Sequence, residues 1–257
     1  MKRIHLFEFE DQEWFPAFLR NYQTDFLQFL ANKANMFKSI IPIIEKGIAE
    51  SKTNRIIDLA SGGGGGLVRI NQELLRDNAD IKITLTDYYP NTDAFLYTKS
   101  NADNFDFVAT PIDARHVPQN LKGLRTQFLS FHHFRPDDAR QILQNAVDSG
   151  SPIAIFEGQE RSVPSIVAML LSPITVLLTT PFIRPFKIGR IVFTYLIPIV
   201  PIVVLWDGVV SSLRTYSVAE MNELISELES KDNFEWETGS VKSGPTNILY
   251  LLGYPKK

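Results

Sequence analysis

The 257-residue sequence predicts an α/β protein, a seven-stranded, mostly parallel sheet with helices on both faces and an antiparallel C-terminal hairpin. Three observations carry this. A short apolar segment, Arg55 to Leu59, runs into five consecutive glycines, Gly62 to Gly66, and an amphipathic segment, Leu67 to Arg76, follows at once. Strand-like and helix-like segments then alternate as far as Phe156, the order that produces parallel strands joined by right-handed crossovers. Finally, Phe234 to Val241 and Asn247 to Tyr254 alternate as two strands around the turn Lys242-Ser243-Gly244-Pro245-Thr246.

Composition narrows the functional classes. With 44% apolar residues the chain can bury a sizeable core as one large domain. A formal net charge of −3 offers no basic field to a phosphate backbone, so nucleic acid is not an expected partner. The absence of cysteine excludes disulfides, thiolate metal sites and cysteine nucleophiles, and it fits a reducing cytoplasm. The first eleven residues place acids where a secretion signal needs an apolar run, so export by that route is not expected.

In order along the chain, residues 1–50 predict a helical cap. From Asp11 to Phe37 the apolar residues, among them Trp14, Phe18, Tyr22, Phe26 and Phe29, recur at helical spacing and form one apolar face. That face either packs on the sheet or roofs an acceptor pocket. A second helix, Met36 to Glu50, leads to the first strand.

The glycine run is read as a ligand-binding bend, because a flexible linker would not be bracketed by two strongly patterned segments. Glycines allow left-handed angles and close backbone approach, and the helix behind them offers unpaired N–H groups. A dinucleotide fingerprint needs glycines at offsets zero, two and five and an acid about 20 residues on, and only Ala60, Gly62 and Gly65 come near it. The better fit is Asp58, Ala60, Gly62 and Gly64, with Asp87 closing the next strand, Lys82 to Thr86. This pattern resembles the nucleotide-binding motif of the class I S-adenosylmethionine-dependent methyltransferases, with Ala60 at the family's first glycine. The terminal hairpin supports the resemblance independently, since it distinguishes this Rossmann-like sheet from a fully parallel one.

The resemblance covers roughly residues 40–160 and 215–257 and implies S-adenosylmethionine as cofactor. It assigns the bend, Asp58, Ala60, Ser61, Gly62 and Gly64, to the carboxypropyl and ribose part. Asp87, beside Tyr88, is assigned to the ribose hydroxyls, although an Asp before Pro90 could equally cap a turn. Asp113 and Ala114, after the third strand (Phe105 to Thr110), match the adenine contact. The fourth strand, Thr126 to Phe131, ends in Phe131-His132-His133-Phe134, similar to the fourth-strand region of small-molecule methyltransferases; Phe131 is assigned to the cofactor, His132 and His133 to catalysis. A histidine here either serves as general base or stitches two strand ends together. With four histidines and no second ligand cluster of suitable spacing, no metal site is expected.

The fifth strand, Pro152 to Phe156, presents Glu157 to the same crevice as a candidate acceptor contact. Residues 162–211 form an insert within a core of 51–161 and 212–257. Its runs Ser162 to Ile183 and Ile191 to Trp206 carry no charge, with Arg184, Lys187 and Arg190 between them. Six prolines and the shortness of the second run, against the roughly 20 residues a bilayer requires, favour a hydrophobic lid or an interfacial surface over a span. A lid of this kind implies a small apolar or lipid-like acceptor. At its end Trp206, Asp207 and a turn at Gly208 precede Arg214, and either these side chains meet the acceptor or Asp207 and Arg214 pair with each other. Ser217 to Glu220 is a capping box that starts a helix running to about Ser230. Two other functions fit the same fold class: a nicotinamide-dependent oxidoreductase, for which no Ser/Tyr/Lys set is evident, and a catalytically silent membrane-associated binding protein.

Overall fold

Alternation along the central strands is the source of the architecture. In the computed structural model, which describes residues 1–244 and 246–256, β1 (Arg55–Asp58) points Ile56 to one face and Ile57 to the other, and both are fully buried. Helices must therefore cover both faces. They do so in the order α1 (Ala17–Lys33), α2 (Ile41–Glu50), β1, α3 (Leu67–Asp77), β2 (Lys82–Leu85), α4 (Thr92–Lys99), β3 (Phe105–Phe107), β4 (Leu124–Phe128), α5 (Pro136–Asp148) and β5 (Ile153–Glu157). The insert follows as α6 (Val163–Leu170), α7 (Ser172–Thr179), α8 (Ile188–Ile191) and α9 (Ile199–Arg214), and α10 (Val218–Ser226), β6 (Phe234–Ser243) and β7 (Thr246–Pro255) complete the chain. Pro245, in the expected hairpin turn, lies outside the described residues.

The seven strands lie in the order β3-β2-β1-β4-β5-β7-β6, with β7 antiparallel to β5 and β6 and the other pairs parallel. Asp58 is registered with Leu85 on one side and Thr126 on the other, so the carboxyl ends of β1, β2 and β4 are level. On one face α2 and α3 bury Ile44, Ile48, Leu67 and Ile70 against Ile56 and Phe156; on the other α5 and α10 bury Ile142, Leu143 and Met221 against Ile57 and Ile155. Each such side chain contributes roughly 1.5–3 kcal/mol of transfer free energy. The capping box at Ser217 and Glu220 is formed.

A third core corrects the reading of the insert as a lid. Phe15, Leu19, Tyr22 and Phe26 of the cap pack against Val176, Ile183, Val200, Val203 and Val204 of the insert, away from the sheet. A buried ion pair locks the two together: Arg190 Nη1 donates to Asp25 Oδ2 at 2.6 Å, and its other nitrogen donates to the carbonyls of Ile183 and Pro185. Tyr22 fits so tightly over Gly189 that a Cβ there would collide with its hydroxyl. The insert thus covers the back of α1. Its other side is open, with Val163, Leu170, Ile174, Leu178, Phe182, Ile188 and Leu196 each more than half exposed. Among the described residues no single helix is long and apolar enough to cross a membrane, while two bent pairs, 163–170 with 172–182 and 188–196 with 199–214, together have the length and composition.

Three departures from expectation have a physical reason in the structure. β3 spans three residues, not six, because after Val108 donates to the Leu85 carbonyl the chain departs towards Pro111. β4 ends at Phe128, since Leu129 adopts φ +52° and turns the chain into a single 3-10 turn, Phe131–His133. No turn forms at Gly208. α9 runs through it to Arg214, carried by apolar residues at helical spacing, and the missing Cβ lets the Met169 sulfur approach, 2.9 Å from where a Cβ would stand.

Candidate active site

At the carboxyl ends of β1, β2 and β4 the chain encloses a cleft of about 450 Å³. Its floor is the bend after β1. Ala60 takes φ +53°, Ser61 N–H donates to the Thr86 carbonyl at 2.9 Å, and Ser61 hydroxyl donates to the Asp58 carbonyl at 3.0 Å, which ties the bend to β2. Ala60, Ser61, Gly62, Gly63 and Gly65 line the cleft. The glycines also answer to packing. A Cβ at Gly63 would stand 2.7 Å from the Thr24 carbonyl oxygen, so this residue lets α1 rest on the bend; Gly64, at φ +96°, turns away from the cleft towards Thr98. Asn32 of α1 accepts the Arg69 N–H and donates to the Gly65 carbonyl, capping the start of α3.

Asp87 stands at the rim. Its Oδ2 accepts the Gly62 N–H at 2.7 Å and its Oδ1 the Tyr89 N–H at 2.7 Å. Burial pushes the carboxyl above its ordinary value, and these two N–H bonds oppose the shift. Tyr88 is half exposed beside it. Asp113 and Ala114 also line the cleft; Asp113 is held by a bidentate Arg115, which donates in turn to Asp138 at 2.8 Å. Burial would raise the Asp113 carboxyl, but the hydrogen bonds and charge of Arg115 outweigh it and hold it low.

The opposite wall comes from the cap, which the sequence offered as a roof, but through individual residues it did not flag and not through the aromatic face, which packs on the insert. The segment ahead of α1 folds back across the strand ends, so that His5, Glu10 and Asp11 line the cleft together with Arg20, Thr24, Leu27 and Gln28 of α1. Arg20 donates to the Glu10 and Gln12 carbonyls and lies over the Tyr89 ring, 4.0 Å from its centroid. His5 is pushed down to about 4, first by burial and then by Arg214 and Arg3, and so is neutral at pH 7. Nothing local to Met1–Asp11 announces this role.

The two histidines have different surroundings. His133 lines the cleft, its Nδ1 2.8 Å from Asp11 Oδ1 and 3.4 Å from Glu8 Oε2, its Nε2 3.3 Å from Glu10 Oε1. Burial disfavours its charged form, but Glu8, Asp11 and Glu10 overcome that and hold the ring well above its ordinary value. His132 lies behind it, fully buried. Its N–H donates to Glu157 Oε1 at 3.0 Å and its Nδ1 lies 2.9 Å from Glu157 Oε2, so the pair joins the ends of β4 and β5. Burial lowers the His132 value and Glu157 opposes it.

Several sequence-based candidates face away from the cleft. Asp58 is buried, accepts from Thr126 hydroxyl at 2.6 Å and is pushed up to about 7 by burial; it braces the bend from below. Gly64 faces α4, and Phe131 packs on Tyr216 in the core with ring centroids 5.3 Å apart. Glu157 serves His132 rather than an acceptor. Trp206 lies on the outer surface, donating to the Phe7 carbonyl at 2.9 Å. Asp207 and Arg214 do not pair with each other. Asp207 accepts the N–H groups of Phe9 and Glu10 and the Gln23 amide, while Arg214 donates to the Leu6 carbonyl and to Asp11, so both hold the N-terminal segment against α9. No residue of 162–214 lines the cleft among the described residues.

Comparison with known proteins agrees with this architecture. No known family profile matches the chain, and no curated protein matches it in sequence. Human N-acetylserotonin methyltransferase in complex with SAM superposes with a TM-score of 0.51 at 15% identity, over 97% of this chain and 63% of that one. The plantazolicin methyltransferase BamL, in complex with a triazolic desmethylPZN analog and SAH, gives 0.48 at 14% identity over 93% and 99% of the two chains. LepI in complex with SAM gives 0.47 at 16% identity, and the chain spans 46% of its length. With the strand order, the human structure defines the class: the chain has the Rossmann-like fold of the class I S-adenosylmethionine-dependent methyltransferases.

Proposed function

We propose that the chain is an S-adenosylmethionine-dependent methyltransferase acting on a small apolar acceptor. The observation that carries this reading is the Asp87 carboxylate at the end of β2, set by the Gly62 and Tyr89 N–H groups at the rim of a cleft whose floor is bare backbone. The cradle fits the cofactor: Cβ atoms are missing at Gly62, Gly63 and Gly65, and nothing within 4 Å would meet a side chain at Gly65. Asp87 would accept the ribose hydroxyls, Ala60 to Gly63 would hold the carboxypropyl part by main-chain contacts, and Asp113 with Ala114 would take the adenine. When bound, the cofactor supplies an electrophilic methyl group on a sulfonium.

The chain's own residues would then orient and enclose. Leu27, Ala31, Phe37, Phe128, Leu129 and Phe134 give the cleft apolar walls, which supports an apolar acceptor without any lid. His133 and Asp11 would orient the acceptor's heteroatom, with the neutral ring of His5 beside them as an uncharged part of the wall. His132 would keep the strand ends in register from behind.

The exposed apolar side of the insert supports a second element of the proposal, peripheral contact with a membrane interface from which a lipid-like acceptor would be drawn. A thermal-shift comparison tests the cofactor reading: S-adenosylmethionine is expected to raise Tm and a nicotinamide dinucleotide to leave it unchanged. The reverse result would favour the oxidoreductase. Turnover with a lipid extract, read as methylated product by mass spectrometry, separates an enzyme from a silent binding protein.

A further inference from the structure

We infer that Glu8, His132 and His133 form a buried binding site for a first-row divalent cation such as Zn(II), behind the stretch of cleft wall that His133 provides. One ligand atom from each of the three lies within 4.8 Å of the others. Glu8 Oε1 is 3.9 Å from His132 Nε2 and Glu8 Oε2 is 3.4 Å from His133 Nδ1; Asp11 Oδ1 lies 2.8 Å from that same His133 nitrogen, so the ion would take the place of the proton those two share. Around a tetrahedral zinc with bonds near 2.0–2.1 Å, neighbouring ligand atoms stand about 3.4 Å apart, the separation already found between Glu8 and His133.

Buried atoms left without hydrogen bonds point to the same place. Glu8 is wholly buried, and among the described residues neither of its carboxylate oxygens accepts a hydrogen bond; His132 is 1% exposed and its Nε2 has no hydrogen-bond partner among them. Arg214 Nη1 lies 3.0 Å from Glu8 Oε1 but donates its hydrogen bond to Asp11. Leaving such atoms unmatched costs about 1–3 kcal/mol each, more where charged, and a cation relieves them together. The supporting shell also fits. Glu157 takes the Nδ1 side of His132, with the Gln159 amide 3.1 Å from the same nitrogen, which leaves Nε2 as the atom turned towards Glu8. A carboxylate behind a ligating imidazole is the usual second layer of such sites.

Imidazole with carboxylate suits zinc, iron, nickel and copper rather than magnesium or calcium.

The test is metal retention, which is read without turnover. Full-length protein is stripped with chelator, incubated with Co(II) or Zn(II), desalted and assayed by elemental mass spectrometry, with the visible spectrum of the Co(II) form as signature. One ion per chain is expected in the wild type and in Asp232→Asn, an exposed acid elsewhere; Glu8→Gln and His133→Gln are expected to retain none, and Glu157→Gln to bind about 10–100-fold more weakly. A wild type that desalts free of metal overturns the inference. So does retention by both Glu8→Gln and His133→Gln, or loss in Asp232→Asn; should Glu8→Gln not fold, His133→Gln decides. Calorimetry with S-adenosylmethionine on the same samples keeps failure here distinct from failure of the methyltransferase reading.

Discussion

The two walls of the cleft are built in opposite ways. The wall made by the bend, Asp87 and Asp113 comes from the ends of consecutive strands, and each of its features is a local pattern: glycines after an apolar run, then an acid at each of the next two strand ends. The wall made by His5, Glu10, Asp11 and α1 is assembled across the whole chain, with Asp207 and Arg214 holding a segment some 200 positions away through Phe9, Leu6 and Asp11. One wall is specified by spacing, the other by long-range hydrogen bonds. A short sequence pattern can reveal only the first.

The contrast can be broken at its strongest point. Asp25→Ala strands Arg190, buried with it at 1% exposure, and is expected to cost about 3–5 kcal/mol in denaturant unfolding. The loosened cap should weaken acceptor turnover more than cofactor affinity. Equal loss of both would mean that the walls are not separable. Gly63→Ala probes the seam between them: its Cβ would press on the Thr24 carbonyl, and about 1–3 kcal/mol of stability should be lost, together with cofactor affinity.

Asp58 sharpens the comparison through pH. Its carboxyl stays protonated in the fold up to about 7 but ionises near 4 in the unfolded chain, so its contribution to stability, full below pH 4, is lost as pH rises through 7. Asp58→Asn should flatten the stability profile by about 1.4 kcal/mol per pH unit across that window. An unchanged profile would mean that Asp58 is ionised in the fold. The smallest effect belongs to the insert. Leu178→Glu with Leu196→Glu, both on its open side, should shift stability by less than about 0.5 kcal/mol yet abolish flotation with anionic vesicles. Flotation unaltered by the two charges, or absent in the wild type, would remove the membrane contact.

Much of the fold was legible because its determinants repeat at short range. Ile56 and Ile57 alternate faces, Ser217 and Glu220 close a capping box, and the last two strands alternate visibly. The misreadings share a cause. Trp206 to Arg214 looked like a turn offering polar groups to a ligand, but apolar residues at helical spacing carry α9 straight through Gly208 and point Asp207 inward to backbone N–H groups. The insert looked like a lid because hydrophobicity does not say what it covers; α1 claimed one side of it. Glu8 gave no signal at all, since its meaning depends on two histidines 124 and 125 positions later.

The central claim is that Asp87 and the bend beside it hold the methyl donor. Isothermal titration of wild type and Asp87→Ala with S-adenosylmethionine tests it most directly. One site per wild-type chain is expected, and affinity about 100-fold lower in the variant, as the loss of hydrogen bonds to a charged acceptor implies. No binding by a folded wild type, or equal affinity in the two proteins, would contradict it.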